Sequence, residues 1–282
     1  SPSVWYGLGT HRHQKGRHPL LAFGNAVYAE GHGKENGPAT ERRIRSSGTL
    51  PRLAAAGPEG VDGETLKRRS FANLPGTGDE IRAVMEMAYK NPAERRRHSR
   101  EGVEANEDML ANMGSRDELK RYRVLHFAAH GLFVDDAPAL NALVFTLPDV
   151  AARVKQDEYG RYVRTNGALK RDGFLRLGEI RALGLENDLV VLSACETSIG
   201  SLAPGEGMVA LPQSFLLAGS RCVTASLWAV DDEATNLLMK EFYHHYLGNG
   251  VSPAEALRRA QMALSAEFEE PGYWAAFAVY GR

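Results

Sequence analysis

The chain has 282 residues, 43% of them hydrophobic and 24% charged, with a formal net charge of −1. That length and apolar content suit one large domain or two small ones with a sizeable core, and the near-neutral balance excludes a dedicated binder of nucleic acid or another polyanion. Two cysteines, Cys195 and Cys222, make no disulfide framework and point to a reducing cytosol, and no apolar run is long enough to predict a membrane span.

The chain opens on Ser1-Pro2-Ser3 with neither an initiator Met nor a signal-peptide pattern, and it reads as a fragment of a longer protein. Residues 1–18 are expected to be a flexible extension and residues 19–282 the folded domain. Pro19-Leu-Leu-Ala-Phe-Gly24 predicts an edge or near-edge strand. From Glu30 to Ser70, Gly, Pro, Arg and charged residues dominate without periodicity, which predicts a long loop or disordered insertion. Asn73-Leu-Pro-Gly-Thr77 leads into a helix with Asp79 and Glu80 suited to its positive end. Ile81, Val84, Met85 and Ala88 form the apolar face of that helix. Arg95 to Arg97 read as a solvated basic patch. A helix is expected around Asn106 to Asn112, then a turn at Gly114-Ser115 and a short helix.

Arg123-Val-Leu-His-Phe-Ala-Ala129 is an apolar run that ends in His130-Gly131, and Ala142 to Leu147 predicts a further strand. Ala151 to Asp172 reads as an exposed inserted hairpin and Leu177 to Ala182 as a short helix. Leu189 to Leu192, bounded by polar residues, predicts a buried strand. It runs out at Ser193-Ala194-Cys195-Glu196-Thr197, whose composition suggests an exposed loop. Pro204-Gly-Glu-Gly207 opens a helix with Met208, Leu211, Phe215 and Leu216 inward and Gly219 as its stop. Pro212 is expected to kink that helix or to push its start downstream. Arg221 to Trp228 is a strand rich in β-formers, and Asp231-Asp232 can cap the helix that carries Leu237, Leu238, Phe242 and Tyr246 on its apolar face. Ser252-Pro253-Ala254-Glu255 is a capping box with Pro at the first helical position, and its helix runs to about Phe268. Trp274 to Tyr280 is the last strand. Alternating strands and helices in the second half of the chain predict an α/β fold with a mostly parallel sheet.

Two strand ends, one offering Cys195 and the other His130-Gly131, lie where open α/β sheets hold their chemistry, and they suggest a nucleophile and a base. The competing roles are a buried inert Cys and a satisfied core histidine; His126, inside its strand, suits the structural role better. Cys222 reads as a core residue. The remaining histidines form no metal-binding set, and neither a metal nor a cofactor is expected.

The motifs together resemble the CHAT domain, a branch of the caspase-like cysteine peptidases that also includes separase. The residues that carry the resemblance are Leu74-Pro-Gly-Thr77 with Glu80, Leu125-His-Phe-Ala-Ala-His-Gly131, Leu192-Ser-Ala-Cys-Glu-Thr197, Gly205-Glu-Gly207, Phe215-Leu-Leu-Ala-Gly219, Ala225-Ser-Leu-Trp228, Asp231-Asp-Glu-Ala-Thr235 and Tyr273-Trp274. They occur in the family's order over about Pro19 to Arg282. Pro212-Gln213, where the family has a plain helix, and the length of the 30–70 insertion depart from its pattern.

The resemblance implies a caspase-like three-layer sandwich with helices on both faces of the sheet. It also implies Cys195 as nucleophile, His130 as acid and base, and the N–H groups of Gly131 and Cys195 as an oxyanion hole. No third catalytic member is assigned; Glu196 and Glu206 are near in sequence and are read as pairing with a cation or capping a helix. The segment from Trp228 to Glu233 is implied in the substrate pocket. Acidic Asp231 and Asp232 there favour Arg or Lys before the scissile bond, against the competing role of helix N-cap. Ser193 is a candidate for the pocket wall, and Trp228 for stacking on substrate or for packing. The expected activity is that of a regulated cytoplasmic cysteine endopeptidase acting on a protein substrate. Its expected partner is an activating protein or an N-terminal helical-repeat region, and residues 30–70 and 151–172 are candidate activation segments. The rival expectation is a caspase-like module that binds a partner without cutting it.

Overall fold

The apolar runs become the strands of a central sheet. The structure is a computed structural model that describes residues 16–28, 71, 74–134, 138–151, 170–193, 195–199, 207–228 and 230–282. Across this sheet lie, in order, β10 (Phe277–Gly281), β9 (Cys222–Ser226), β7 (Leu189–Leu192), β3 (Tyr122–Ala128), β1 (His18–Gly24) and β2 (Ser99–Glu101). Every neighbouring pair is parallel except β10 with β9. The described helices include α1 (Pro75–Ala88), α2 (Pro92–His98), α3 (Glu107–Ser115), α4 (Leu177–Arg181), α5 (Gly207–Leu217), α6 (Asp232–Tyr243) and α7 (Pro253–Ser265).

A parallel sheet covered on both faces needs apolar side chains at successive positions, and alternate residues serve opposite faces. Leu20, Ala22, Val124, Leu189 and Val191 pack with α1, α6 and α7. Leu21, Phe23, Leu125, Phe127, Val190 and Leu192 pack with α3, α4 and α5 on the other side. One sheet between two helical layers is the three-layer α/β sandwich expected.

A second sheet adjoins the first, in the order β6 (Phe174–Arg176), β5 (Ala142–Val144), β4 (His130–Val134) and β8 (Cys195–Ile199). It covers a core of its own that includes Tyr28, Phe71, Leu132, Val144 and Phe174. Strand β3 passes into β4 through the single residue Ala129, and β7 gives way to β8 after Ser193 and residue 194.

Several boundaries differ from the sequence reading. Helix α1 begins at Pro75, and no acidic residue lies in its first turn; Asp79 and Glu80 come later. Proline suits that opening because its φ is preset and its missing N–H has no intrahelical partner there to lose. Helix α3 runs through Gly114 and Ser115, and the turn follows at Asp117, whose φ is +56. Strand β5 ends at Val144; the Phe145 amide still bonds to Gly173 at the next register position, and the Thr146 amide turns away to the Ala105 carbonyl. Helix α5 holds Pro212 inside it, with the ring buried. The helix forgoes one backbone bond there, and packing against the sheet offsets that loss. Gly219, at φ +114, stops this helix, because any Cβ there would run into the Leu185 carbonyl. Ser252 caps α7 through the Glu255 amide at 3.3 Å, but the Glu255 side chain turns to Arg258 and Arg259. The 30–70 insertion and nearly all of the 151–172 hairpin lie outside the described residues.

His126 is fully buried and ties three elements together. Its Nδ1 is 3.0 Å from the Tyr243 hydroxyl on α6. Its Nε2 is 3.2 Å from Glu80 Oε1 on α1, within ion-pair reach but not aligned for a hydrogen bond. Burial, and then the Glu80 charge, push the Tyr243 phenol well above its usual range, so it stays protonated. Removing one member of a buried pair strands the other without solvent. Glu80→Ala should therefore cost roughly 3–5 kcal/mol of stability in urea denaturation. A loss below about 1 kcal/mol would mean that the pair contributes no more than an exposed one.

Candidate active site

The residues singled out in the sequence converge through strand register. Phe23, Phe127, Leu192 and Ala225 form one line of Cα partners across β1, β3, β7 and β9. His130 and Cys195 lie three residues beyond Phe127 and Leu192, and they are again Cα partners, now in the parallel pair of β4 with β8. The register therefore passes from one sheet into the other without a slip. It sets the two backbones side by side at the strand spacing of about 4.8 Å. Gly131 partners Glu196 one residue further on, and Leu143 on its other side. Trp228 lies two residues beyond the end of β9, in a bend.

His130 and Cys195 open strands and are not loop residues at strand ends, as their flanking composition had suggested. Each begins a strand of the second sheet directly after the step from the first. The His130 side chain is 8% exposed. Its imidazole meets the Tyr28 ring edge-on at 4.7 Å between centroids and the Phe71 ring at 5.4 Å. The His130 amide donates to the Tyr28 hydroxyl at 3.3 Å, and that hydroxyl donates to the Val144 carbonyl at 2.8 Å.

The four residues named for a substrate pocket have different surroundings. Ser193 is buried; its amide donates to the Phe127 carbonyl at 2.8 Å, continuing the β3–β7 ladder, and its hydroxyl has no hydrogen-bond partner among the described residues. Trp228 is 37% exposed and donates its indole N–H to the Gly272 carbonyl at 3.0 Å. Asp231 is the N-cap of α6, with one carboxylate oxygen accepting from the Glu233 amide at 3.0 Å and the Ala234 amide at 3.3 Å. Asp232, the first residue of α6, packs so closely on the start of α1 that a Cβ on Gly76 would come within 2.8 Å of its own. The other family motif at this end, Leu74-Pro-Gly-Thr77, holds the chain leaving β1: the Thr77 hydroxyl accepts from the Asn25 amide at 3.2 Å and donates to the Leu74 carbonyl at 2.7 Å. Cys222 is buried in β9, and burial pushes its thiol up to about 11.

Tyr28, Phe71 and Glu107 were not singled out in the sequence. Tyr28 follows the end of β1 and carried one usable signal, an aromatic just beyond the carboxyl end of a strand. Phe71 is an isolated aromatic at the close of an aperiodic stretch. Glu107, in the first turn of α3, is 1% exposed and accepts from the Gly173 amide at 3.1 Å and from Arg171 at 3.0 Å, anchoring the entry to β6.

Fold and register define an α/β protein of the caspase-like class. The family model for the CHAT domain matches residues 11–282, and the chain belongs to that family, which is related to the caspase-like peptidases. Over 139 residues it is 31% identical to Tetratricopeptide repeat protein 28 of Mus musculus, and equally to Tetratricopeptide repeat protein 28 of Homo sapiens. The matched stretch covers 49% of this chain and 6% of each relative, so the chain corresponds to a small part of those proteins.

The anchor at Glu107 is sensitive to pH. Burial, and then repulsion from Glu179, outweigh Arg171 and push the Glu107 carboxyl up from 4.5 to about 7. Between those values the folded chain keeps a proton that the unfolded chain has released. The contribution to stability is thus fully present below about 4.5 and is lost as the pH rises through about 7. Glu107→Gln keeps the acceptor and removes the titration, so its unfolding free energy should change less than that of the wild type between pH 5 and pH 8. Parallel pH profiles in urea denaturation would refute this account.

Proposed function

We propose that the protein is a cysteine endopeptidase with a Cys195–His130 dyad. The observation that carries the reading is the register pairing of these two residues across β4 and β8, at the carboxyl edge of the main sheet. In this reading His130 takes the thiol proton and the Cys195 sulfur attacks the peptide carbonyl. The N–H groups of Gly131 and Cys195 receive the negative oxygen. His130 returns the proton to the departing amine, leaving a thioester. Water, deprotonated by His130, then releases the acid and restores the thiol.

The segment from Trp228 to Asp232 is the proposed pocket for the residue before the scissile bond, with Ser193 at its wall. Asp231 is engaged as an N-cap through one carboxylate oxygen, and its other oxygen, with the neighbouring Asp232, supplies the negative charge that would attract a basic side chain. The substrate is a protein. Activity is regulated by an activating partner or a helical-repeat region, and the 30–70 and 151–172 segments are the proposed sites of activation. A second reading is a non-catalytic interaction module. It draws on the relatives, whose names record tetratricopeptide repeats and no peptidase.

Cleavage of a pooled peptide library, read by mass spectrometry, separates the two readings. The wild type should cut, Cys195→Ala should not turn over, and His130→Ala should lose about 10²–10⁴-fold in kcat. Cleavage that survives Cys195→Ala overturns the peptidase. Partner binding that survives it, with no cleavage by the wild type, favours the module. Iodoacetamide at pH 8 should label Cys195 well before Cys222, whose buried thiol titrates at about 11. Asp232→Asn and Asp231→Ser, the latter retaining a cap, should each weaken cleavage after Arg and Lys; unchanged preference in both removes the pocket assignment.

A further inference from the structure

We propose that Tyr28 is a positioning residue for His130, fixing both the backbone and the imidazole of the base; this rests on the reading of His130 as acid and base. His130 and Val144 are register partners in the antiparallel pair of β4 with β5. The Tyr28 hydroxyl stands between them, accepting from the His130 amide at 3.3 Å and donating to the Val144 carbonyl at 2.8 Å. One side chain thus pins the residue at which β4 begins. The same ring presses edge-on against the imidazole at 4.7 Å, and Phe71 meets the imidazole at 5.4 Å. Amide and ring are therefore held by one residue, which restricts translation and rotation of the base together.

Tyr28 is itself held independently of His130. The Val27 amide donates to the Thr146 hydroxyl at 2.9 Å, and that hydroxyl donates to the Gly102 carbonyl at 2.9 Å. The Thr146 amide donates to the Ala105 carbonyl, and the Gly102 amide to the Asn25 carbonyl, both at 3.0 Å. Asn25 adopts the left-handed φ of +49 that turns the chain off the end of β1. The segment 25–28 is thus clamped by three separate parts of the chain before it reaches the histidine. Burial pushes the Tyr28 phenol far above its usual range, so the hydroxyl remains both donor and acceptor at any working pH. Catalytic groups need placement within about 0.5 Å, and a displacement of about 1 Å can cost 10²-fold in rate.

The structure supplies a matched comparison. Tyr89 makes the same kind of hydroxyl bridge near the other end of β1, donating to the Leu20 carbonyl at 2.7 Å and accepting the Leu20 amide at 3.4 Å. Tyr28→Phe and Tyr89→Phe each remove one buried hydroxyl, but only the first touches His130. Tyr28→Phe should lower kcat by about 10–100-fold with KM within about twofold, and should slow Cys195 alkylation by iodoacetamide. Tyr89→Phe should leave both rates unchanged whatever its melting temperature. If Tyr28→Phe does not fold, Thr146→Val is the second variant, because it unhooks Val27; it should lose kcat in the same way, and Thr146→Ser should recover it. Equal rate losses in the two tyrosine variants, or wild-type rates in Tyr28→Phe (or, where that variant does not fold, in Thr146→Val), overturn the positioning role and leave the dyad standing. A wild type that neither cleaves nor alkylates Cys195 faster than an ordinary thiol overturns the dyad, and the role of Tyr28 with it.

Discussion

The site depends on the continuity of strand register across the step between the two sheets. Strands β3 and β7 are already neighbours in the main sheet, and each leaves it within two residues of the same level. Because they leave together and pair again as β4 and β8, the positions that follow are fixed relative to each other by backbone hydrogen bonds and not by side-chain packing. Parallel pairing permits no partial correction: a slip of one residue would turn the whole run to the opposite face. His130 and Cys195 inherit their proximity from Phe127 and Leu192, and both of these are buried in the larger apolar core. The energy that holds the site together is thus stored one turn of pleat away, in residues that have no chemistry of their own.

The two histidines of the run Leu125 to Gly131 show how strand position assigns a role. His126 and His130 are four residues apart, an even spacing that would keep them on one face of an unbroken strand. Strand β3 ends at Ala128, between them, and they meet different surroundings. His126 faces the helices and meets Glu80 and Tyr243, partners that cross-link α1 and α6 beneath the sheet. His130 lies past the step, among the rings of Tyr28 and Phe71 and opposite the backbone of Cys195. Each histidine has a tyrosine beside it, but Tyr243 bonds to an imidazole nitrogen, whereas Tyr28 bonds to a backbone amide. The first arrangement binds a side chain into the core; the second steadies the start of a strand.

Much of this was legible in the sequence, for a physical reason. Strands buried on both faces leave uninterrupted apolar runs, so 19–24, 123–129 and 189–192 announced themselves, and the capping signals at Asp231 and Ser252 marked true helix starts. Of the second sheet, β5 was legible within the apolar run 142–147, but β4 and β8 were not. Cys-Glu-Thr-Ser-Ile carries neither an apolar run nor an alternation, and β4 opens on His-Gly, which reads as a break. Those segments are strands because their neighbours leave them paired backbones, a tertiary cause without a local signature. Pro212 is accommodated inside α5 for a related reason: intrinsic preference sets a cost, and the burial of α5 against the sheet outweighs it. Tyr28 and Phe71 act through contacts made across some 60 to 100 residues of chain, which no local pattern records.

The two sheets pack on either side of the seam. The main sheet closes its own core with helices on both faces, and the second sheet closes a separate one around Leu132, Val144 and Phe174. Small and polar residues stand at the junction, and Ala129, His130 and Ser193 are buried there. Yet the junction is not loose, because three adjacent segments cross it: β1 through 25–28, β3 into β4, and β7 into β8. The first is locked by Thr77 and Thr146 and the other two by each other. Three crossings side by side hold the seam by backbone pairing, and the rings of Tyr28 and Phe71 hold the His130 side chain there, a restraint that the proposed base would need.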